Sequence, residues 1–407
     1  MVQHSINEFI SLSKSFNKLG RKLVSRRLWL AVMGLLLLLI PARAQTSEPV
    51  AVPHYLGAPS CASSACHGGG GSNQNQYLVW SQRDFHSQRP VATLATARSR
   101  QIAAALAIPD PAADTRCTTC HAPLDAVPAA RRGPGFSVAE GVSCETCHGP
   151  AENWLRAHTR TDWTHADRVA AGLRDLQNLY VRANTCVACH QTVSLALLSA
   201  GHPEGMFELD GQSAAEPRHW TESAASSHAQ IWFVGQAAAL RELSWQLSRE
   251  PRDDDRLIAR WRALLWLLQK LDGLNPALTG LKNISPEARP ENYLAAQRAA
   301  DSLARGAATS SLWNDALARQ ALIRLTGTAG EFVADTNAGE LPARRAERLV
   351  LALDRLLLAQ NAATPASSGA NHELDELFKL AQSVPDFRPA DFATALTRFA
   401  ATLKNQP

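Results

Sequence analysis

Cysteine is missing from almost the whole of this 407-residue chain: none occurs before position 61 or after position 189. Methionine is scarcer still, with Met1, Met33 and Met206 the only three. No run of alternating apolar and polar residues marks a strand, which argues against a β-sandwich or barrel. No phosphate-binding loop, Ser/His/Asp set or paired-carboxylate pattern stands out, so hydrolase and nucleotide chemistry have no support. Beyond residue 40 no apolar stretch reaches the ~20 residues that a membrane helix needs.

A surplus of positive charge is also lacking once the leader is set aside. Lys14, Lys18, Arg21, Lys22, Arg26 and Arg27 precede the 13-residue apolar run Leu28–Ile40, and PARAQ follows with small residues at Ala42 and Ala44. That order is the pattern of a secretory signal peptide over residues 1–44, cleaved near Ala44. SRRLWL at Ser25–Leu30 looks like a twin-arginine signal, although attaching a cofactor to an unfolded exported chain favours a Sec-type route. Cleavage removes seven basic side chains and Glu8, turning the formal +4 into −2. Nothing basic then remains to recommend a nucleic-acid partner. The expectation is a periplasmic or otherwise exported protein with no transmembrane segment in its mature chain.

What is present is concentrated between Cys61 and His190. Four segments read CASSACH (Cys61–His67), CTTCH (Cys117–His121), CETCH (Cys144–His148) and CVACH (Cys186–His190), and together they use every cysteine of the chain. Two closely spaced thiols can form thioethers to the two vinyl groups of one haem, and the adjoining imidazole then reaches its iron. C-x-x-C-H is accordingly the signature of covalent c-type haem. Zinc sites pair thiols with thiols or with remote histidines and give no reason for a His directly after every second Cys. The pattern predicts four haems c on Cys61/Cys66, Cys117/Cys120, Cys144/Cys147 and Cys186/Cys189, with His67, His121, His148 and His190 as proximal ligands. The first motif has four residues between its cysteines, and its competing reading is a Cys61–Cys66 disulfide.

Met206 is the one methionine left after the leader, so at most one iron can take His/Met ligation. Mostly bis-His, low-potential haems are expected. Eight further histidines remain outside the leader and the motifs, more than four irons need. His86, His158 and His202 lie inside the haem-bearing segment and are the candidate distal ligands; His54, His165, His219 and His228 are further possibilities. His372 begins a distant helix and reads as solvated.

The fold expected is mainly α. Residues 45–220 form a tetrahaem cytochrome c domain of short helices and loops wrapped around the haems, with helical spacing at Arg98–Ile108 and Ala166–Tyr180. Residues 221–407 form a C-terminal α-helical bundle. There Ile231–Leu247, Arg256–Leu271 and Arg344–Gln360 repeat apolar residues at three and four. Weaker helices are expected near 291–305, 310–325, 372–383 and 389–403. Trp232, Trp245, Trp261, Trp266 and Trp313 are expected in its core. Asp253–Asp255 reads as a solvated helix N-terminus.

The tract YLGAPSC…ACH, W-x5-H at Trp80–His86, GVSCETCHGP at Gly141–Pro150, TCVACH and GHPEGMFEL at Gly201–Leu209 resembles the tetrahaem cytochrome c-554 family over roughly residues 54–220. The resemblance implies closely packed haem pairs and three bis-His irons. Its second haem is five-coordinate, which would make the iron at His121 the candidate open position, with His86, His158 and His202 as distal ligands elsewhere. The four-residue spacing of the first motif and the helical region after Thr221 depart from that family's pattern. The function expected is electron transfer between redox partners, either other cytochromes or a quinol-linked reductase, and a homo-oligomer is compatible with it. The alternative is a haem oxidoreductase acting on nitric oxide, hydroxylamine, nitrite or a small sulfur species at one open iron. The nitrite version is weakened by the absence of a C-x-x-C-K motif.

Overall fold

The computed structural model describes residues 52–71, 74–222, 227–250, 253–309, 313–334, 339–361, 368–382 and 386–404. The expected signal peptide and cleavage site lie outside them. Residues Pro53–Pro407 group as one compact unit. The described chain is helical, with only two isolated bridges, Tyr55 to Arg132 and Ser87 to Gly141.

The first part consists of short helices: α1 Gln76–Arg83, α2 Arg89–Leu94, α3 Ala97–Ala105, α4 Thr115–His121, α5 Cys144–His148, α6 His165–Ala170, α7 Leu179–His190, α8 Leu195–Ser199 and α9 Leu209–Ala215. The helix expected over Ala166–Tyr180 does not run through. It stops after Ala170 because Gly172 turns to φ +103°, a conformation glycine accepts freely, and α7 restarts after an Asn178 cap. Apolar spacing alone did not reveal that break.

The second part is longer-limbed: α10 His228–Arg249, α11 Asp255–Leu271, α12 Pro290–Thr309, α13 Asp315–Thr326, α14 Ala329–Ala334, α15 Leu341–Asn361, α16 Ser368–Ala381 and α17 Pro389–Lys404. Their starts follow capping chemistry. Ser227, Asp254 and Asn314 accept the backbone N–H of Gln230, Leu257 and Leu317, so part of the acidic 253–255 stretch is a cap. Trp232, Trp261, Trp266 and Trp313 are buried, but Trp245 is 42% exposed, with Arg249 over its ring. It shares the helix with a buried stripe yet lies off that stripe.

One continuous apolar cluster begins at Leu179 and runs to Leu403. Helix α7 enters it through Leu179, Ala183 and Val187, spaced four apart on one face. Packing therefore crosses the region around residue 220 without a gap.

Candidate functional site

Three of the motifs are helical, and a helix suits their spacing. Cysteines at i and i+3 and a histidine at i+4 fall on one side of a turn. Asp114 caps α4 by accepting the Arg116 N–H at 2.9 Å. Ser143 and Thr146 close a capping box on α5, and Asn178 caps α7 by accepting from Tyr180 and Val181. The first motif is built differently. Cys61 ends a 3-10 turn, Ala58–Cys61, and the two extra residues loop out under hydrogen bonds from the Cys66 and Gly68 N–H groups to Ser63 O, each 2.9 Å.

None of the eight cysteines is disulfide-bonded. Cys61 lies within hydrogen-bonding reach of Cys144, and Cys120 of Cys189, so thiols meet across motifs. That contact holds the Cys61 thiol below its ordinary range and Cys120 down to about 7, against the burial that opposes both. The first motif thus neighbours the third, and the second neighbours the fourth.

The histidines are paired as well. His67 and His158 face each other with ring centres 6.1 Å apart, His86 and His190 at 6.0 Å, and His121 and His202 at 6.4 Å. Two imidazoles on opposite sides of one metal, at about 2 Å per bond, hold their ring centres about 6 Å apart. The spacing fits a metal between each pair. Protonation fits too. The Nδ1 atoms of His67, His121, His158 and His202 face oxygen acceptors, namely Gln76 Oε1 (3.0 Å), Pro90 O (3.0 Å), Leu155 O (2.6 Å) and Pro203 O (2.8 Å). A ring that donates from Nδ1 keeps its Nε2 lone pair for a metal.

The position expected to be open, His121, therefore has His202 opposite it. His148 is the remaining proximal residue. Partial burial together with the neighbouring His219 and His67 pushes its imidazole down to about 4. His219, also held low by burial, is the neighbouring histidine whose charge acts most on it, ahead of His67. Sequence pattern singled out His86, His158 and His202 but left His219 among the lesser candidates, and RHW at 218–220 carries no signal that would have raised it.

The other histidines have carboxylate partners. His54 contacts Glu152 at 2.7 Å, His165 contacts Asp175 at 3.2 Å and His228 contacts Asp210 at 3.0 Å. His372 is exposed. His86 is the one ring of the three measured pairs with a carboxylate behind it. Asp84 Oδ1 lies 3.1 Å from its Nδ1, and Glu216 stands 3.8 Å away. Asp84 draws the His86 imidazole upward against its burial.

Two acidic residues missed by sequence reading hold the motifs in place. Glu145, inside the third motif, is 1% exposed and accepts the backbone N–H of Leu56 (3.0 Å), Gly57 (2.7 Å) and Ala151 (2.7 Å). Glu140 accepts from Ala58 at 3.2 Å. At Gly141, φ +73°, a Cβ would come within 2.7 Å of His86 O. Only glycine lets the third motif approach so closely, and Val142 N–H then donates to His86 O at 2.9 Å.

Residues 60–149 match the family model described as cytochrome c554 and c-prime. That span contains the first three motifs and ends before the fourth. No curated protein and no solved structure matches the chain. Among the described residues no helix is long and apolar enough to cross a membrane.

Proposed function

We propose, from the match of residues 60–149 to the family model described as cytochrome c554 and c-prime, that the chain is a c-type cytochrome and an exported electron carrier with four haems, each iron held between two histidines. The observation that carries this reading is the pairing of His67 with His158, His121 with His202 and His190 with His86 at the separation a shared metal requires. For His148 the reading takes as partner His219, whose charge acts on it.

Haem c, when bound, supplies reversible one-electron chemistry at its iron. The chain's own residues do the rest. Cys61/Cys66, Cys117/Cys120, Cys144/Cys147 and Cys186/Cys189 anchor the groups covalently. The thiol contacts Cys61–Cys144 and Cys120–Cys189 make their attachment points neighbours in two pairs. Backbone carbonyls fix the tautomers of His121, His158 and His202, and Gln76 that of His67. Imidazole on both sides, with no thioether ligand, favours low potentials. The partners are other redox proteins, cytochromes or a quinol-linked reductase, and the compartment is the periplasm or its equivalent. Turnover of nitric oxide, hydroxylamine or nitrite needs a free iron face, and these three pairings, with His219 taken as the partner of His148, leave none.

The test combines intact mass with carbon monoxide added to the dithionite-reduced protein. Four haems per chain and an unshifted visible spectrum are expected. A mass of three haems would return the CASSACH segment to a loop without haem. A carbon monoxide shift in the native protein would mean an open iron and revive the enzyme reading.

A further inference from the structure

His202 lies in the extended segment between α8 and α9, which has no regular structure to satisfy its own backbone groups. Its anchors divide into two sets. From the motif region, Arg98 Nη2 donates to Gly201 O at 2.8 Å, His202 N–H to Leu197 O at 3.0 Å, and the Phe207 N–H to Gln191 Oε1 at 3.1 Å. From the long helices come the rest. Arg260 on α11 donates to Gly205 O, and Arg348 on α15 donates to Phe207 O at 3.1 Å. Gln236 on α10 donates to Phe207 O at 3.3 Å, and Arg344 on α15 binds Glu204 at 3.1 Å. Phe207 itself is fully buried in the helical core.

The grip is costly to build. Arg348 is 3% exposed and Arg260 6%. Burial pushes the Arg348 guanidinium down to about 9 and lowers that of Arg260 too. A buried guanidinium is favourable only where its donors are used: Arg260 uses Nη2 on Gly205 O, and Arg348 divides Nη1 between Phe207 O and Gln236 Oε1 while its Nη2 has no partner among the described residues. The other two measured distal ligands are held locally. His86 is tied to Asp84 and to the Gly141–Val142 backbone, and His158 sits one turn beyond Trp154 and Leu155.

We propose that the C-terminal helices are the scaffold of one ligand: Arg260, Arg344 and Arg348 are positioning residues that press the His202 segment against His121, so that this iron stays capped only while they hold. The inference rests on the reading of His121 and His202 as ligands of one iron. Loss of the grip opens that iron and leaves the other three closed.

The test uses the full haem-loaded chain. Arg260→Met/Arg348→Met removes both donors while keeping apolar volume, a replacement that often leaves a buried site as stable as before or more so. Carbon monoxide binding to the reduced protein, the ferric high-spin EPR signal and far-UV circular dichroism are recorded together. The expected result is one newly reactive haem per chain, the same one exposed by His202→Ala, with no further gain when the changes are combined. Arg348→Lys restores capping in part. A double variant that keeps its helix signal and four haems yet binds no carbon monoxide overturns the inference. If the double variant loses its helices, the less deeply buried Arg344 decides instead: partial high-spin signal in Arg344→Gln supports the proposal, and none refutes it. Carbon monoxide binding by the native protein would instead defeat the underlying ligand assignment, a separate failure.

Discussion

Before Leu179 the buried apolar side chains are scattered, and none joins the continuous cluster; after it they form one core as far as Leu403. The two stretches share a chain and a compact unit but differ in what fills them. In the motif region, seven of the eight thiols are buried or partly buried, and short helices leave little apolar surface to share. In the helical region, Trp, Phe and Leu at helical spacing supply the interior themselves. Helix α7 belongs to both. Leu179, Ala183 and Val187 turn to the core, while Cys186, Cys189 and His190 carry the fourth motif. The shorter stretch before Leu179 has no continuous apolar core of its own, and α7 is where it meets the helical one.

The largest effect that would break this comparison comes from withholding haem. A chain expressed without haem attachment should lose amide protection through residues 53–178 while α10–α17 keep theirs, read by hydrogen exchange. Equal protection in both regions would show that the motif region folds on its own side chains. Next in size is Trp261→Ala. The ring is fully buried, its Nε1–H donates to Ser244 Oγ at 2.9 Å, and its loss should cost about 3–5 kcal/mol in denaturant unfolding. The visible spectrum of the native variant should not change, because Trp261 touches only the helical core.

The smallest expected effect lies at the seam. Burial raises Asp301, but hydrogen bonds from Arg305, Tyr180 and Arg241 outweigh it and hold the carboxyl down to about 2. Tyr180 is on α7, so this carboxylate ties the motif region to α10 and α12. A depressed acid adds stability above its unfolded value of 3.8 that disappears as pH falls through about 2. Asp301→Asn should cost about 1 kcal/mol at neutral pH, discounted for partial exposure, and flatten the acid limb between about pH 4 and 2. An unchanged acid limb would remove Asp301 from the seam.

The four Cys/His motifs stood out in the sequence because two thioethers and one ligand to a single porphyrin would demand contiguous residues. The long helices were legible for a similar reason: apolar residues at three and four need only local sequence, and the ends followed from Ser227, Asp254 and Asn314. The distal ligands are another matter. Which imidazole faces His121 depends on how the segment holding His202 is gripped by arginines 58 to 146 residues further along, and no local pattern reports that. The same holds for Glu145, a motif residue by position and a backbone acceptor by role, and for Trp245, which shares the α10 repeat but not its buried face.

The account turns on every proximal histidine having a second histidine opposite. EPR of the fully ferric native protein, integrated against haem content, tests this most directly. Low-spin signals accounting for all four haems, unchanged by nitric oxide, are predicted. A high-spin signal worth one haem that vanishes on adding nitric oxide would contradict the pairing and make the protein an enzyme candidate.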